Sequence, residues 1–243
     1  MIINDQKRSE GTGMLQLERQ KDILRLLQER KSMTVKELCA ALYASPATVR
    51  RDLAALEQIG LLQRSFGGAV LCEVFPDQQP FAVRSVEHIA EKKRVAAKAA
   101  AFVHAGETVF LDASSTTFYL VPHLRDIPDL TVVTNSPRTC LALAEQGVRS
   151  FCTGGELLEG SLALVGSDAE RFVRGIYAHV CLFSARGVAD GRISDSSKGE
   201  RDLKLAMLEN SGRSVFLYDR SKEGKLYPHI ITELDRVDAC VDE

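Results

Sequence analysis

The stretch Met33-Thr-Val-Lys-Glu-Leu-Cys-Ala-Ala-Leu-Tyr-Ala-Ser-Pro-Ala-Thr-Val-Arg-Arg-Asp-Leu-Ala-Ala-Leu-Glu-Gln-Ile-Gly-Leu-Leu62 holds two helical patterns separated by a tight turn. Thr34 is placed to cap the first helix, and Glu37 three positions on completes a capping box. Ser45 is placed to cap the second, and Pro46 suits a first helical turn because its missing amide hydrogen costs nothing there. Val49, Leu53 and Leu56 recur at i, i+4 and i+7, so they must face a core. The opposite face carries Ala47, Arg51 and Gln58, flanked by Thr48 and Arg50. A slim face of small residues with an arginine suits a DNA major groove, where side chains reach base edges.

The flanking residues extend this pattern. Leu61-Leu62-Gln63-Arg64 reads as a short strand, Ser65 to Gly68 as a turn, and Ala69-Val70-Leu71 as a returning strand. A β-hairpin directly after the second helix is the wing of a winged helix-turn-helix, and Arg64 at its edge can meet a phosphate. Upstream, Leu17, Leu24 and Leu27 share a face with Ile23 alongside, which predicts a helix from Leu17 to Glu29. Taken singly, arginines on a helix surface are usually just solvated. Caps, proline, paired arginines and glycine wing together predict a DNA-binding winged helix over residues 14–71, with Ser45, Ala47, Thr48, Arg50, Arg51 and Arg64 at the DNA.

The remainder is a second domain. A chain of 243 residues exceeds the usual ~100–150 of one domain, and 45% hydrophobic residues supply a packed core. From Met14 to Cys72 there are nine Lys/Arg against six Asp/Glu, whereas residues 73–243 carry 20 against 25. A mildly basic reader joined to an acidic larger domain fits this asymmetry, and the small positive excess predicts a homo-oligomer that binds DNA through several copies. Six cysteines form no C-x-x-C pair and sit mostly in apolar runs, which predicts buried free thiols and no metal site. No signal peptide and no apolar run near ~18 residues is visible, so a cytoplasmic protein with no membrane partner is expected. Residues 1–13 are polar and unpatterned and are left out of the fold.

Residues 72–80 read as a linker and residues 81–243 as the second domain. There a helix is predicted from Ser85 to His104, and strands at Glu107–Asp112, Leu130–Thr134, Val148–Cys152, Ala178–Ser184 and Arg213–Tyr218. Helices are predicted at Phe118–Leu124, Pro137–Gln146, Ser167–Gly175 and Lys198–Ser211. Apolar strands alternating with helices imply an open, mostly parallel α/β sheet covered on both faces. Ligands of such sheets bind outside the carboxyl ends of the strands. Those ends carry Asp112-Ala-Ser-Ser-Thr-Thr117, Asn135-Ser-Pro, Thr153-Gly-Gly155, Ala185–Asp190 and Asp219-Arg-Ser-Lys-Glu-Gly224. Each alone is ordinary turn and cap chemistry, but five on one sheet edge predict a site. The hydroxyls of Ser114, Ser115, Thr116 and Thr117 open a helix and suit an anion, with Lys222 adding charge. Asp112 beside this site would repel a phosphate, so it orients the loop or accepts a sugar hydroxyl. Asn135 and Glu200 are further candidates for sugar hydroxyls, and Glu200 is equally placed to pair with Lys204 at i+4. The histidines show no metal-ligand spacing and no nucleophile has a locatable base, so neither metal, cofactor nor covalent catalysis is expected.

From about Met14 to Glu243 the chain resembles the DeoR family of bacterial transcription regulators. The resemblance is carried by Arg19-Gln-Lys-Asp-Ile-Leu, Ser45-Pro-Ala-Thr-Val-Arg-Arg-Asp-Leu-Ala-Ala-Leu and Arg64-Ser-Phe-Gly-Gly-Ala. It continues through Phe110-Leu-Asp-Ala-Ser-Ser-Thr-Thr, Val132-Val-Thr-Asn, Thr153-Gly-Gly-Glu, Leu164-Val-Gly and Asp219-Arg-Ser-Lys. It implies a sensor domain similar to ribose-5-phosphate isomerase and glucosamine-6-phosphate deaminase, and a repressor of carbohydrate genes relieved by a phosphorylated sugar. Two positions depart from the pattern. Ser114 stands where many members have glycine, which keeps an anion site and adds a hydroxyl. Arg186 stands where many have aspartate, and an arginine cannot act as a general base. The alternative, a sugar-phosphate isomerase or deaminase with an accessory DNA-binding domain, is disfavoured on that ground. Arg186, with Gly154 and Gly155, completes the expected effector site, and Arg186 with Lys222 suits a ligand bearing more than one negative group.

Overall fold

A computed structural model describes residues 19–20, 22–27, 30–58, 62–65, 67–71 and 80–243. The chain divides into two units, Met1–Phe75 and Pro76–Glu243. The expected linker falls largely on residues 72–79 and, like residues 1–18, lies outside the described ones.

In the first unit residues 22–27 are helical (α1), followed by β1 (Ser32–Thr34), α2 (Val35–Leu42), α3 (Pro46–Gln58), β2 (Leu62–Ser65) and β3 (Gly68–Leu71). The capping box forms as the sequence dictates: Glu37 N–H donates to Thr34 Oγ1 at 3.2 Å and Thr34 N–H to Glu37 Oε2 at 2.7 Å. Tyr43, with φ of 50°, turns the chain out of α2 in the left-handed region. Val49, Leu53 and Leu56 of α3 are buried, as are Ile23, Leu27, Leu38 and Leu62. On α1 the buried pair is Ile23 and Leu27, at i and i+4, while Leu24 is only half-buried and Leu17 lies outside the described residues. The wing hairpin pairs Leu62 with Leu71 through Ser65 with Gly68. It gains a third strand that the sequence did not announce, β1, in the order β1-β3-β2. A Cβ at Gly68 would collide with the Met33 carbonyl oxygen, so this crossing requires glycine.

In the second unit α4 (Phe81–Val86) and α5 (Ile89–Ala99) lead into β4 (Thr108–Leu111), then α6 (Ser115–Phe118), α7 (Val121–Leu124), β5 (Thr131–Thr134), α8 (Pro137–Glu145) and β6 (Arg149–Cys152). A hairpin of β7 (Glu156–Leu158) and β8 (Ala163–Val165) precedes α9 (Ser167–Arg174) and β9 (Val180–Phe183). Then come β10 (Gly187–Ala189), β11 (Arg192–Asp195), α10 (Lys198–Glu209), β12 (Ser214–Leu217), β13 (His229–Glu233) and β14 (Ala239–Val241). The main sheet has six strands in the order β14-β12-β9-β4-β5-β6, every neighbouring pair parallel. Its strands alternate between two cores. Val109, Leu111, Leu182 and Leu217 pack on one face with Val95 and Ala99 of α5. Phe110, Phe183 and Phe216 pack on the other with Val173 of α9 and Leu203 of α10. A second sheet, β10-β11-β13, is antiparallel.

Three expectations need correction. The helix read as Ser85–His104 is two helices, broken at Glu87 and at His88, whose φ is 51°. The buried Lys92 stabilises that break, its Nζ donating to the carbonyls of Arg84 and Glu87 that the break exposes. The helix read as Phe118–Leu124 is two single turns that start at Ser115. The thiols are not uniformly buried: Cys181 is, Cys240 is exposed, and Cys39, Cys140 and Cys152 lie between.

The first unit depends on one buried ion pair. Asp52 of α3 is fully buried and accepts from Arg19 Nε at 2.5 Å and Nη2 at 3.3 Å, with the arginine side chain 21% exposed. Removing one partner of a buried pair strands the other charge, so Asp52→Ala should destabilise this unit by on the order of 3 kcal/mol. Amide exchange in the full-length protein should show protection lost in α3 and retained in the six-stranded sheet. Unchanged protection in α3 would contradict this role.

Candidate functional site

The strand order reverses between β4 and β9: from β4 the chain proceeds outward through β5 to β6, then returns to place β9 on the other side of β4. The loops after these two strands therefore part company, and such a switch point leaves a crevice at the carboxyl ends. A cleft of about 190 Å³ lies there. Ser114 and Ser115 line it after β4, Ser184, Ala185 and Arg186 after β9, and Asp219, Ser221 and Lys222 after β12. Arg84 of α4, His88 and Lys92 of α5 close another side, with Asp195, Glu200 and Lys204, and Lys225 and Tyr227 completing it.

Two kinds of lysine meet in this cleft. Lys204 Nζ lies 2.5 Å from Asp195 Oδ2, 3.5 Å from Asp112 Oδ2 and 3.7 Å from Glu200 Oε2. Burial alone would pull its pKa down, but Asp195, Asp112 and Glu200 outweigh burial and hold it raised. Burial likewise opposes the Asp195 carboxylate, yet Lys204 and Arg186 keep its pKa lowered. Lys222 is different: its Nζ donates to Ser184 Oγ at 2.5 Å and Thr116 Oγ1 at 3.0 Å, both neutral. Lys92 donates only to backbone carbonyls. Among the described residues, neither Lys92 nor Lys222 has a carboxylate within ion-pair distance. Burial pushes Lys222 down to about 7, with Lys92 and Arg84 adding to the effect against the pull of Asp219 and Asp112. Burial pushes Lys92 down to about 8, and Arg84 down to about 10 with help from Arg186. Burial works against the Asp219 carboxylate, but Lys222, Ser221 and Lys92 hold its pKa lowered. Its Oδ2 is buried without a hydrogen-bond partner among the described residues.

Of the residues singled out from the sequence, Ser114, Ser115, Arg186, Glu200 and Lys222 line this cleft. Asp112, Thr116 and Thr117 do not reach it. Asp112 is wholly buried and accepts from Ser114 N–H, Thr117 Oγ1 and Ser184 N–H, so it ties the β4 and β9 loops together. Thr117 is spent on that knot, and Thr116 supports Lys222 from behind. Asn135, Gly154 and Gly155 lie after β5 and β6, away from the lining. Asn135 Nδ2 donates to the Leu164 carbonyl at 3.0 Å, and a Cβ on Gly155 would press on Val165 O at 2.5 Å, so both serve the β7–β8 hairpin region. Sequence reading missed Arg84, Lys92 and Asp195, and placed Lys204 only as the i+4 partner of Glu200, a pair the structure forms at 3.7 Å. A usable signal existed for the lysines, since Lys92 shares an apolar helical stripe with Val95, Ala96 and Ala99, and Lys204 shares one with Leu203 and Met207.

On α3, Ser45 Oγ accepts from Thr48 N–H at 3.2 Å. Ala47, Arg50 and Arg51 are exposed, Thr48 is half-buried, and the opposite stripe is the buried one. Arg64 on the wing is held by Glu57 of α3, Nε to Oε2 at 2.5 Å. Its guanidinium is therefore pre-positioned by a carboxylate rather than simply solvated. No group of three or more His, Cys, Asp or Glu placed to hold a metal occurs among the described residues. No described helix is long and apolar enough to cross a membrane.

The DeoR-like helix-turn-helix domain matches residues 19–75, and the DeoR C terminal sensor domain matches residues 87–243. The chain belongs to the DeoR family of transcription regulators. It is 36% identical over 226 residues to YulB of Bacillus subtilis, an uncharacterized HTH-type transcriptional regulator, covering 91% of this chain and 87% of that one. It is 31% identical over 229 residues to the transcriptional repressor AccR of Agrobacterium fabrum, covering 93% and 89%. Among solved structures it is similar to ribose 5-phosphate isomerase from Plasmodium falciparum, over 54% of this chain and 52% of that one, at 16% identity and a TM-score of 0.41.

The titration of Lys222 has a stability consequence with a definite sign. The unfolded chain keeps this lysine protonated up to its ordinary 10.5, while the folded protein releases the proton near 7. Between those values the unfolded state binds more protons, so stability rises with pH. Lys222→Met should raise the thermal midpoint of this DeoR-type sensor unit at pH 6.5 and shrink its rise between pH 6.5 and 9. Midpoints that move in parallel with pH in both proteins would contradict the shift.

Proposed function

We propose that this DeoR-family regulator is a repressor of carbohydrate genes whose second unit binds a phosphorylated sugar in the cleft at the β4/β9 switch point. The observation that carries this reading is a pair of lysines, the buried Lys92 and the half-buried Lys222, with no carboxylate within ion-pair distance among the described residues. The lining holds six Lys/Arg against four Asp/Glu. A buried cation without a counter-ion is costly, and a dianionic phosphate arriving among Lys92, Lys222 and Arg84 supplies what is missing. Ser114, Ser115 and Ser221 offer hydroxyls to the same group, while Glu200 and Asp195 face the sugar.

The reaction chemistry of an isomerase has no support here. Of the four acids in the lining, Asp195 and Glu200 are tied to Lys204, Asp219 is held as a lowered carboxylate by Lys222, Ser221 and Lys92, and Arg186 cannot accept a proton. The protein acts in the cytoplasm as a homo-oligomer on double-stranded operator DNA, with no membrane partner. Two or more copies raise affinity through effective concentration, which one weakly basic winged helix needs.

At the DNA, Thr48 and Arg51 read bases, Ser45 and Ala47 admit the close approach of α3, and Arg50 and Arg64 hold phosphates. A bidentate arginine–guanine contact is worth roughly 1–3 kcal/mol, so Arg51→Ala should weaken operator binding by that amount and relax base preference. A shift assay with unchanged affinity and preference would contradict the placement.

An effector releases DNA only if it binds the two protein conformations with different affinity. Hexose 6-phosphates should weaken operator binding where the unphosphorylated sugars do not. Lys222→Gln should keep operator binding and lose the response. Undiminished sugar-phosphate binding by that variant in calorimetry would place the anion elsewhere.

A further inference from the structure

A second cleft, of about 500 Å³, adjoins the first, and Arg186 and Glu200 belong to the linings of both. Its remaining walls come from the β7–β8 turn and from the start of α10. The two clefts differ in charge. The first has an excess of cations, whereas the second is balanced, with Arg186 and Lys198 against Glu159 and Glu200. Hydroxyls dominate the rest of the second lining, from Ser161, Ser196 and Ser197. Ser161 is 7% exposed, and its Oγ has no hydrogen-bond partner among the described residues although it lines this cleft.

A buried hydroxyl left unpaired is an expense that a bound donor or acceptor removes. Acids, an arginine and serines in balance favour a neutral polyhydroxyl group, because they offer both acceptors and donors without net charge. A second phosphate would face Glu159 and Glu200 without excess cation. Among the described residues the lining has no aromatic ring on which a nucleobase could stack, and Leu158 is its one aliphatic side chain.

We infer that the effector spans both clefts, as a phosphorylated disaccharide or related glycoside. Its phosphate sits among Lys92, Lys222 and Arg84, and its second, uncharged sugar lies against Ser161, Ser196 and Glu200. This rests on the anion site proposed above. Arg186 and Glu200 occupy the junction, where they meet the hydroxyls on either side of the glycosidic link, and so select for length.

The test is calorimetry on the full-length protein with inorganic phosphate, hexose 6-phosphates, and a panel of α- and β-linked disaccharide 6-phosphates. The best disaccharide phosphate should bind at least about tenfold tighter than the best monosaccharide phosphate, as one or two added hydrogen bonds would give. Ser161→Ala removes one hydroxyl and should narrow that ratio about three- to tenfold. Ser196→Tyr, which fills the cleft from its half-buried rim, should abolish the ratio. Equal affinities for mono- and disaccharide phosphates, or a ratio indifferent to both substitutions, would overturn the two-cleft effector while leaving the anion site standing. Failure of inorganic phosphate and of every sugar phosphate to bind would overturn the anion site, and this inference with it.

Discussion

The carboxylate of Asp112, buried at the end of β4, is the point on which the sensor site depends. It accepts from Ser114 N–H and Thr117 Oγ1 on its own loop and from Ser184 N–H on the loop after β9. The two loops that diverge at the switch point are thereby joined by one side chain. Its charge is met by Lys204, delivered from α10, which also binds Asp195 of β11. The main sheet, the smaller antiparallel sheet and α10 thus meet in a single compensated knot. Lys204 offsets part of the Asp112 charge, and the carboxyl is spent on the loop hydrogen bonds rather than turned into the cleft.

Against that knot the other two lysines stand out. Lys92 and Lys222 are held in place by carbonyls and hydroxyls, which orient an ammonium group but do not neutralise it. The fold has placed their cost where a ligand can remove it, the usual trade at a binding site. The helix break at Glu87 and His88 belongs to the same design, since it turns free carbonyls toward Lys92. In the first unit the corresponding device is the Asp52–Arg19 pair, which fixes α3 so that Arg50 and Arg51 stay exposed while Val49 and Leu53 are buried.

Elements with a long, regular pattern were legible in the sequence. The i, i+4, i+7 recurrence of Val49, Leu53 and Leu56, the Thr34–Glu37 box and the apolar strands β4, β5, β9 and β12 all follow from local rules. The three-residue strands β1, β7, β8, β10 and β14 did not, because three residues are too few to show alternation, and β11 and β13 went unread as well. The site was half legible. Loop position after a strand pointed to Ser114, Ser115, Arg186 and Lys222, but could not separate residues facing the cleft from those behind it. Asp112 takes the loop-orienting role of the two the sequence left open, and Thr117 has the right chemistry and the wrong direction. Arg84 and Lys92 arrive from helices preceding the sheet, and their approach depends on a backbone break for which no glycine or proline gives warning.

The central claim is that Lys92 and Lys222 have no anion within ion-pair distance, among the described residues, until a ligand supplies one. Binding must then restore their ordinary basicity and draw protons from solvent. The direct measurement is calorimetric titration of the full-length protein with inorganic phosphate at pH 8, in two buffers of different ionisation enthalpy. With Lys222 near 7 and Lys92 near 8 in the empty cleft, the account predicts uptake of roughly one and a half protons per phosphate bound at pH 8. Phosphate binding whose heat is the same in both buffers would show no proton uptake and would contradict it.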